Sequence, residues 1–222
     1  MSVKENIQKI QSEIPSGVLL VAVSKTKPEE AIEAAYEIGV RDFGENKVQE
    51  LQRKSESLPK DINWHFIGHL QSNKVKYIAP YVHLIHAVDS YKLLETINKE
   101  AQKNNRIINC LLQFHIAEEE TKFGLVISEA NEILTQMKEN ALSNVNIIGV
   151  MGMGTNSEDE TKVRSEFKNL KSIFETLKST CFSGKTDFAQ ISMGMSQDYD
   201  LAIEEGSTMV RIGSTIFGDR IY

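Results

Sequence analysis

A lysine stands where a buried strand should end. Residues 17–35 read GVLLVAVSKTKPEEAIEAA, and the apolar run over residues 18–23 is followed two positions later by Lys25. Such a lysine can be an ordinary solvated residue at the start of a loop. It can also be a partly desolvated amine, which is a usable nucleophile toward a carbonyl group. The stretch alone favours the first interpretation, and the rest of the chain has to decide.

A second group of residues, near the C-terminus, is suited to binding an anion. In the segment VRIGSTIFG, Gly213 allows the backbone to approach a ligand closely, Ser214 offers a hydroxyl group, and residues 214–217 can begin a short helix. Backbone N–H groups at a helix start bind anions. Ser196, in SMGMSQDYDLAI, can cap the helix that follows it while pointing at the same place. Each feature alone has a plain structural explanation, but the two adjacent helix starts together favour a phosphate site.

Arg211 lies on the predicted strand just before this corner. It could pair with a carboxylate such as Asp219 or Glu204, or it could donate to an anion or to a heteroaromatic ring nitrogen. A lysine and a phosphate site across one pocket suit a phosphorylated aldehyde that is held as a Schiff base. Two classes of ligand meet that description: sugar-phosphate carbonyl compounds and pyridoxal 5′-phosphate.

The elements that would bring these residues together alternate regularly along the chain. Short apolar segments are each followed by a polar-faced helical stretch, giving about eight strand-plus-helix units, the number in a (β/α)8 barrel. An open doubly wound sheet is the competing arrangement, but its dinucleotide fingerprint is incomplete, because Ser157 stands where GVMGMGTN would need its last glycine. We therefore predict an α/β fold, a single (β/α)8 TIM barrel over residues 1–222, with an amphipathic opening helix at about residues 3–14.

In such a barrel the active site lies at the C-terminal ends of the strands. Lys25 follows the first predicted strand, so it occupies an active-site position, and its functional interpretation becomes as strong as the structural one. The same rule selects segments after five other strands, which are residues 44–46, 65–69, 151–153, 192–196 and 211–214.

The histidines form no recognisable site in the sequence. His83 and His86 lie in an apolar strand and receive no role, and His115 ends the fifth strand. No cluster of His, Cys and Asp shows the spacing of metal ligands, and neither a nucleophile elbow nor a P-loop occurs. We therefore predict no metal.

Composition limits the possible functions further. The formal net charge of −6 argues against a general nucleic-acid-binding surface, and no apolar run is long enough to span a membrane. The N-terminus lacks the apolar core of a secretory signal, and the two cysteines, Cys110 and Cys181, show no paired spacing. A cytoplasmic protein is expected, with Cys110 as a buried free thiol. No heptad pattern or large apolar stripe demands a partner, so the sequence favours a monomer.

Five segments of the chain are specific enough to compare with a known family: AVSKTKP, FGENKVQE, WHFIGHLQSNK, TKFG and SMGMSQDYDLAIEEGSTMVRIGSTIFG. Together they resemble the pyridoxal phosphate homeostasis protein family, also called the YggS/PROSC family. The matches occur in order from Ala22 to Gly218, nearly the whole chain. One departure is IIGVMGMGTN, where relatives usually carry a leucine in place of Val150 and often a proline further on. It affects the wall beside the cofactor rather than the residues that anchor it.

The resemblance implies a fold-type III barrel, shared with the N-terminal domain of alanine racemases, that binds pyridoxal phosphate. Lys25 would match the lysine that forms the Schiff base with the cofactor, and Arg211 the arginine that contacts the pyridine nitrogen. An arginine does not readily give up a proton, so it would leave the ring neutral and a weak electron sink. The other matched positions are phosphate ligands (Ser196, Gly213 and Ser214), pocket-lining residues (Asn46 and His65) and packing walls (Met151 and Met193).

Two functions follow, and a third stays open. The first is a protein that holds pyridoxal phosphate at Lys25, buffers its aldehyde and releases it toward apo-enzymes without substantial catalysis. The second is a pyridoxal-dependent amino-acid racemase-like enzyme, with a base from Tyr199, His65 or a partner subunit. The related racemases take one base from a second, β-rich domain, and this chain has no residues left to build one, which favours the first function. The third is a Schiff-base aldolase acting on sugar phosphates.

Overall fold

The described part of the chain, residues 2–117 and 123–218, forms a barrel of eight parallel strands in a computed structural model. The strands pair in sequence order, and the last pairs with the first over Leu19↔Met209 to Ala22↔Ile212, which closes the barrel. This confirms the predicted TIM barrel. The strands are β1 Leu19–Val23, β2 Asp42–Glu45, β3 Asn63–Phe66, β4 Leu84–Val88, β5 Ile108–Phe114, β6 Val145–Gly152, β7 Gln190–Ser192 and β8 Met209–Ile212.

Helices connect successive strands, as parallel pairing requires. They are α1 Val3–Glu13, α2 Glu29–Tyr36, α3 Val48–Ser57, α4 Val75–Ile78, α5 Tyr91–Lys103, α6 Ile127–Glu139, α7 Glu160–Thr180, α8 Tyr199–Glu204 and α9 Ser214–Phe217. The connection between β3 and β4 is short and contains a 3₁₀ turn, Ser72–Lys74, followed by the single turn of α4.

The opening helix begins where the sequence predicts, because Ser2 and Glu5 cap it reciprocally. The Ser2 hydroxyl accepts the Glu5 backbone N–H at 3.3 Å, and the Glu5 carboxylate accepts the Ser2 N–H at 2.8 Å. Together they satisfy N–H groups that the first turn of a helix leaves without partners. The buried face of α1 carries Ile7 and Ile10.

The apolar core has two layers, because successive side chains of a strand point to opposite faces. The larger layer lies between the barrel and its helices and contains Cys110, which is a free thiol, as predicted. Burial raises the pKa of that thiol. The smaller layer fills the barrel interior and consists of Val21, Leu84, Ala87, Leu111, Met151 and Met209.

Polar side chains are also fully enclosed by the barrel, among them His65, His86, Ser192 and Arg211. Polar groups in such a place need hydrogen-bond partners, since an unpaired buried group is costly. Their partners, given below, connect the two ends of the barrel. Within residues 2–117 and 123–218, no helix is both long and apolar enough to cross a bilayer.

Candidate functional site

A cavity of about 790 Å³ opens at the C-terminal ends of the strands. This is the end of a TIM barrel at which active sites lie. Most of the residues that the sequence assigns to a cofactor site line this one cavity: Lys25, Asn46, Ser196, Arg211, Gly213 and Ser214. As the rule of strand ends predicts, residues from the first, second, seventh and eighth strand-plus-helix units meet in this cavity.

Three of the assigned residues are not among the described residues that line the cavity. His65 is fully buried in the barrel, and Met151 packs in the interior layer. Met193 belongs to the layer that faces the helices. Met153 and Met195, each two residues further along the chain, line the cavity in their place.

The segment that carries Lys25 is held in place by side chains of β2 and α3. The Ser24 hydroxyl donates to Glu45 at 2.6 Å, and Lys54 Nζ donates to the Ser24 carbonyl at 2.8 Å. On the other side of Lys25, the Thr26 N–H donates to Glu50 at 2.7 Å, with Thr26 in the left-handed region at φ 65°. Both neighbours of Lys25 are thus fixed to the same cluster, which orients the strand end at the cavity.

The cluster itself is an ion network without water contact at its centre. Lys54 Nζ lies 2.8 Å from Glu45 Oε1 and 2.7 Å from Glu50 Oε1, and the Lys54 and Glu45 side chains are both 0% exposed. Burial raises the pKa of Glu45, and the charge of Lys54 opposes that rise. Lys54 therefore keeps a buried carboxylate and the Lys25 segment together.

The loops after β7 and β8 meet through Ser196 and Gly213. Ser196 Oγ accepts the Gly213 N–H at 3.1 Å, so it does not cap α8 as the sequence suggested. The cap position is Asp198, whose carboxylate instead accepts the Met195 N–H. A side chain at position 213 would place its Cβ 3.1 Å from the carbonyl oxygen of Val23, so glycine allows the ends of β8 and β1 to approach.

Arg211 extends from β8 to the floor of the cavity. Its Nη1 donates to Ser192 Oγ at 2.6 Å and its Nη2 to the Gly152 carbonyl at 3.1 Å. Burial lowers the pKa of Arg211 to about 10, which leaves the guanidinium charged at neutral pH, and the charge of Asp198 opposes this shift. Glu204 pairs with Arg164 at 2.6 Å, and Asp219 lies outside the described residues.

A chain of hydrogen bonds leads from Arg211 through the barrel interior. Ser192 Oγ lies 3.0 Å from His86 Nδ1, His86 Nε2 lies 2.9 Å from His65 Nδ1, and His65 Nε2 lies 3.0 Å from Asp42 Oδ1. Arginine only donates and a carboxylate only accepts, so with one proton on each ring every bond points from Arg211 toward Asp42. Burial lowers the pKa of His86 well below its usual value.

Asn46 offers the cavity a buried acceptor. Its Oδ1 is buried and has no hydrogen-bond partner among the described residues. Gly68, after β3, lies directly against it, since a Cβ at position 68 would be 2.4 Å from the Asn46 carbonyl oxygen. A buried acceptor without a partner is rare in folded proteins and suits a ligand that donates a hydrogen bond.

Several lining residues were not assigned a role from the sequence. His69 stacks on Phe123 with ring centroids 4.5 Å apart, and its Nδ1 lies 3.6 Å from Asp89. Gln113, at the end of β5, donates to the Phe123 carbonyl at 2.9 Å. The rule of strand ends reaches His69, but it gives no reason to single out Gln113 or Phe123.

Tyr199, considered above as a base, does not line the cavity. Its hydroxyl donates to Glu13 at 2.5 Å and so connects α8 to α1 on the outside of the barrel. Burial, which is the larger cause, and the hydrogen bond to Glu13 raise the pKa of Tyr199 to about 12. A phenol in that state is a poor base at neutral pH.

Solved structures of similar proteins share this architecture. The structure of PipY from Synechococcus elongatus PCC7942, determined without PLP, superposes with a TM-score of 0.91 and 32% identity, covering 98% of this chain and 100% of that one. PipY with PLP bound superposes with a TM-score of 0.88 over the same shares of both chains. An alanine racemase of Clostridium difficile 630 in complex with cycloserine shares the fold, with a TM-score of 0.78 at 15% identity, and this chain covers 61% of it.

Sequence comparison agrees with these structures. The family profile described as alanine racemase, N-terminal domain, matches residues 1–221. A pyridoxal phosphate homeostasis protein of Aquifex aeolicus is 40% identical over 91% of this chain and 87% of its own length. One of Vibrio alginolyticus is 38% identical over 100% and 99% of the two chains. The resemblance seen in the sequence is therefore confirmed, and this chain belongs to the pyridoxal phosphate homeostasis protein family, within the alanine racemase N-terminal domain family.

Proposed function

We propose that this protein binds pyridoxal 5′-phosphate in the cavity at the C-terminal ends of its strands, holds it through Lys25, and takes part in storing and delivering it. The observation that carries the proposal is the cavity, which collects a lysine, an arginine and the Ser196–Gly213 corner in a chain that superposes on PLP-bound PipY. The names of the homologues agree with a role in homeostasis.

The residues present fit this cofactor. The Asn46 Oδ1, which has no partner among the described residues, suits a hydroxyl group of the ligand, and the hydroxyl groups of Ser196 and Ser214, beside Gly213 in the cavity lining, suit a phosphate. Lys25 would hold the aldehyde end, and Arg211 would face the ring nitrogen. When bound, the cofactor supplies an electrophilic aldehyde and a conjugated ring that can accept electrons.

Several features support binding rather than turnover. Arg211 is charged, is already held by Ser192 and Gly152, and does not readily give up a proton, so it would leave the ring nitrogen unprotonated and the ring a weak electron acceptor. The side chains considered as racemase bases, Tyr199 and His65, are both directed elsewhere by hydrogen bonds. We infer that any racemase-like activity is small, and that the released cofactor serves apo forms of pyridoxal-dependent enzymes.

The first experiment tests the anchor. Protein saturated with pyridoxal phosphate is reduced with borohydride, digested, and mapped for the phosphopyridoxyl group. We expect the group on Lys25, and its loss in Lys25→Ala. The matched control is Lys27→Ala, since Lys27 lines the same cavity with its Nζ 2.8 Å from the Gly218 carbonyl. A stable adduct in Lys25→Ala, or its loss in both variants, would refute the anchor.

A second experiment separates delivery from catalysis. The loaded protein is mixed with an apo-enzyme that needs pyridoxal phosphate, and the regain of enzyme activity is compared with that given by an equal amount of free cofactor. In parallel, alanine and serine are incubated with the loaded protein in deuterated water. We expect transfer of cofactor and no racemisation beyond that given by free cofactor. Deuterium uptake at Cα at an enzyme-like rate would establish the racemase alternative instead.

A further inference from the structure

Two histidines and an aspartate meet at the end of the barrel opposite the cavity. Asp42 opens β2, His65 lies in β3, and His83 immediately precedes β4, so they come from three neighbouring strands. One ligand atom from each, a carboxylate oxygen or a ring nitrogen, lies within 4.8 Å of those of the other two. The shortest distance is 3.0 Å, between Asp42 Oδ1 and His65 Nε2.

The three residues differ in how firmly they are held. His65 is fully buried, and Asp42 accepts a hydrogen bond from Asn63 Nδ2 at 3.2 Å, so both have fixed positions. His83 is exposed, and its ring makes no side-chain hydrogen bond to any residue in the described ranges. Its centroid lies 5.4 Å from that of His65. Two ligands are therefore held in place, and the third, His83, is exposed and can adjust to an ion.

The site is also accessible from solvent, and the second ring nitrogen of His65 has a hydrogen-bond partner that fixes the ring. Asp42 lines a cavity of about 540 Å³ at this end of the barrel, and His83 is exposed to solvent. Histidines that bind metals almost always hydrogen-bond through their second ring nitrogen, which fixes the ring. Here Nδ1 of His65 lies 2.9 Å from His86 Nε2, and His86 is held in turn at 3.0 Å by Ser192. A metal on Nε2 would place the ring proton of His65 on Nδ1, so His86 Nε2 would become the acceptor and the direction of this bond would be the reverse of that in the metal-free row described above.

We propose that Asp42, His65 and His83 form a binding site for a divalent transition-metal ion of the zinc class. Two imidazole nitrogens and one carboxylate oxygen are donors that suit zinc and cobalt(II), and three protein ligands leave a coordination position for water. The chain-order spacing of these residues gave no metal motif, because the ligands are adjacent in space only through the pairing of β2, β3 and β4. None of the three lines the cofactor cavity, so the proposed metal site does not depend on the proposed function.

The test uses untagged, chelator-treated, cofactor-free full-length protein. Cobalt(II) is titrated while its visible ligand-field bands are followed, and zinc affinity is measured by competition with a chromophoric chelator. We expect one equivalent of each ion, with bands of a low-coordinate nitrogen–oxygen site. His83→Gln and Asp42→Asn should each weaken zinc binding at least about 10-fold.

The matched control is His69→Gln, because His69 also sits beside a carboxylate, with its Nδ1 3.6 Å from Asp89, but at the other end of the barrel. It should bind zinc as the unaltered protein does. Since His83 is exposed, its replacement should leave the fold intact, which circular dichroism verifies. Absence of stoichiometric binding in the unaltered protein, or equal zinc affinity in folded His83→Gln, would overturn the proposal.

Discussion

Lys54 and Glu45 form an ion pair 2.8 Å long in which both side chains are completely shielded from solvent. The same Lys54 amine holds the carbonyl oxygen of Ser24 at 2.8 Å. An ion pair in such a place is expensive to desolvate, so its value lies more in fixing a geometry than in net stability. The geometry that it fixes is that of the strand end carrying Lys25.

Replacing Lys54 by methionine should therefore damage both stability and the site. Removing one partner of a buried pair leaves the other charge uncompensated, at a cost of about 3–5 kcal/mol in the free energy of unfolding. The segment at residues 24–26 also loses one of its three hydrogen bonds to the cluster, so less pyridoxal phosphate should be fixed by borohydride at a given concentration. Urea unfolding and adduct mapping measure the two effects.

The stability lost in Lys54→Met should depend on pH because of Glu45. Burial already raises its pKa, and loss of Lys54 raises it further above the value in the unfolded chain. A carboxyl group with a raised folded pKa destabilises the fold as pH rises through that pKa. The difference in free energy of unfolding between Lys54→Met and the unaltered protein should thus narrow as pH falls. The double variant Lys54→Met with Glu45→Gln should recover part of the lost stability. A gap that widens in acid would contradict this account.

Asn46→Ala should separate binding from stability. The Oδ1 of Asn46 is a buried acceptor with no hydrogen-bond partner in residues 2–117 and 123–218, so its removal should leave the free energy of unfolding of the cofactor-free protein unchanged or up to about 1 kcal/mol higher. Affinity for pyridoxal phosphate should fall by up to about 10-fold, because one hydrogen bond to the ligand is lost. Urea unfolding and equilibrium dialysis measure the two quantities.

Asn146→Ala is the matched control for that variant. The Asn146 amide is fully used, donating to Asn109 at 3.0 Å and to Asp187 at 2.9 Å at the far end of the barrel. It should lose about 1 kcal/mol of stability with no change in cofactor affinity. If Asn46→Ala behaves like Asn146→Ala, then the Asn46 amide is a structural group and not a ligand contact.

Gly68→Ala should be more destabilising than Gly213→Ala, for a reason of space alone. The added Cβ at position 68 would be 2.4 Å from the Asn46 carbonyl oxygen, so the backbone has to move. At position 213 the closest atom, the Val23 oxygen, would be 3.1 Å away, which a small shift relieves. We expect a cost of about 1–3 kcal/mol for Gly68→Ala and a smaller cost for Gly213→Ala, as measured by urea unfolding. Equal costs would show that the loops adjust freely.

The barrel and half of its site were predictable from the sequence because both follow from local patterns. Alternating apolar and helical segments predict the strands, and the strand-end rule then places Lys25 and Arg211 at one mouth. The depth along each strand end at which the cavity begins is harder to predict, since residues two apart share a face of the sheet. For this reason Met151 and Met193 were assigned to a wall that Met153 and Met195 form.

Contacts between distant strands were beyond prediction for a different reason. His86 and Ser192 are 106 residues apart in sequence, and their 3.0 Å contact exists only because the barrel closes. His65 was assigned to the cavity because its segment ends there, while its ring turns down the barrel axis toward Asp42. Patterns of residue type along the chain carry no signal for such a row of side chains.

Replacing Tyr199 tests the contact between α8 and α1, and it tests whether the Tyr199 phenol is held in a state that makes it a poor base. Its hydroxyl donates to Glu13 at 2.5 Å, and burial, followed by this contact, raises its pKa to about 12, against about 10 in an unfolded chain. A raised folded pKa contributes stability that is complete below the unfolded value and is lost as pH rises through the folded one.

The stability advantage of the unaltered protein over Tyr199→Phe should therefore be constant below about pH 10 and shrink between about pH 10 and pH 12. Urea unfolding of both proteins across that range measures the difference, in which the titrations of the other tyrosines cancel. An advantage that stays constant to pH 12 would mean that the phenol is not held as described.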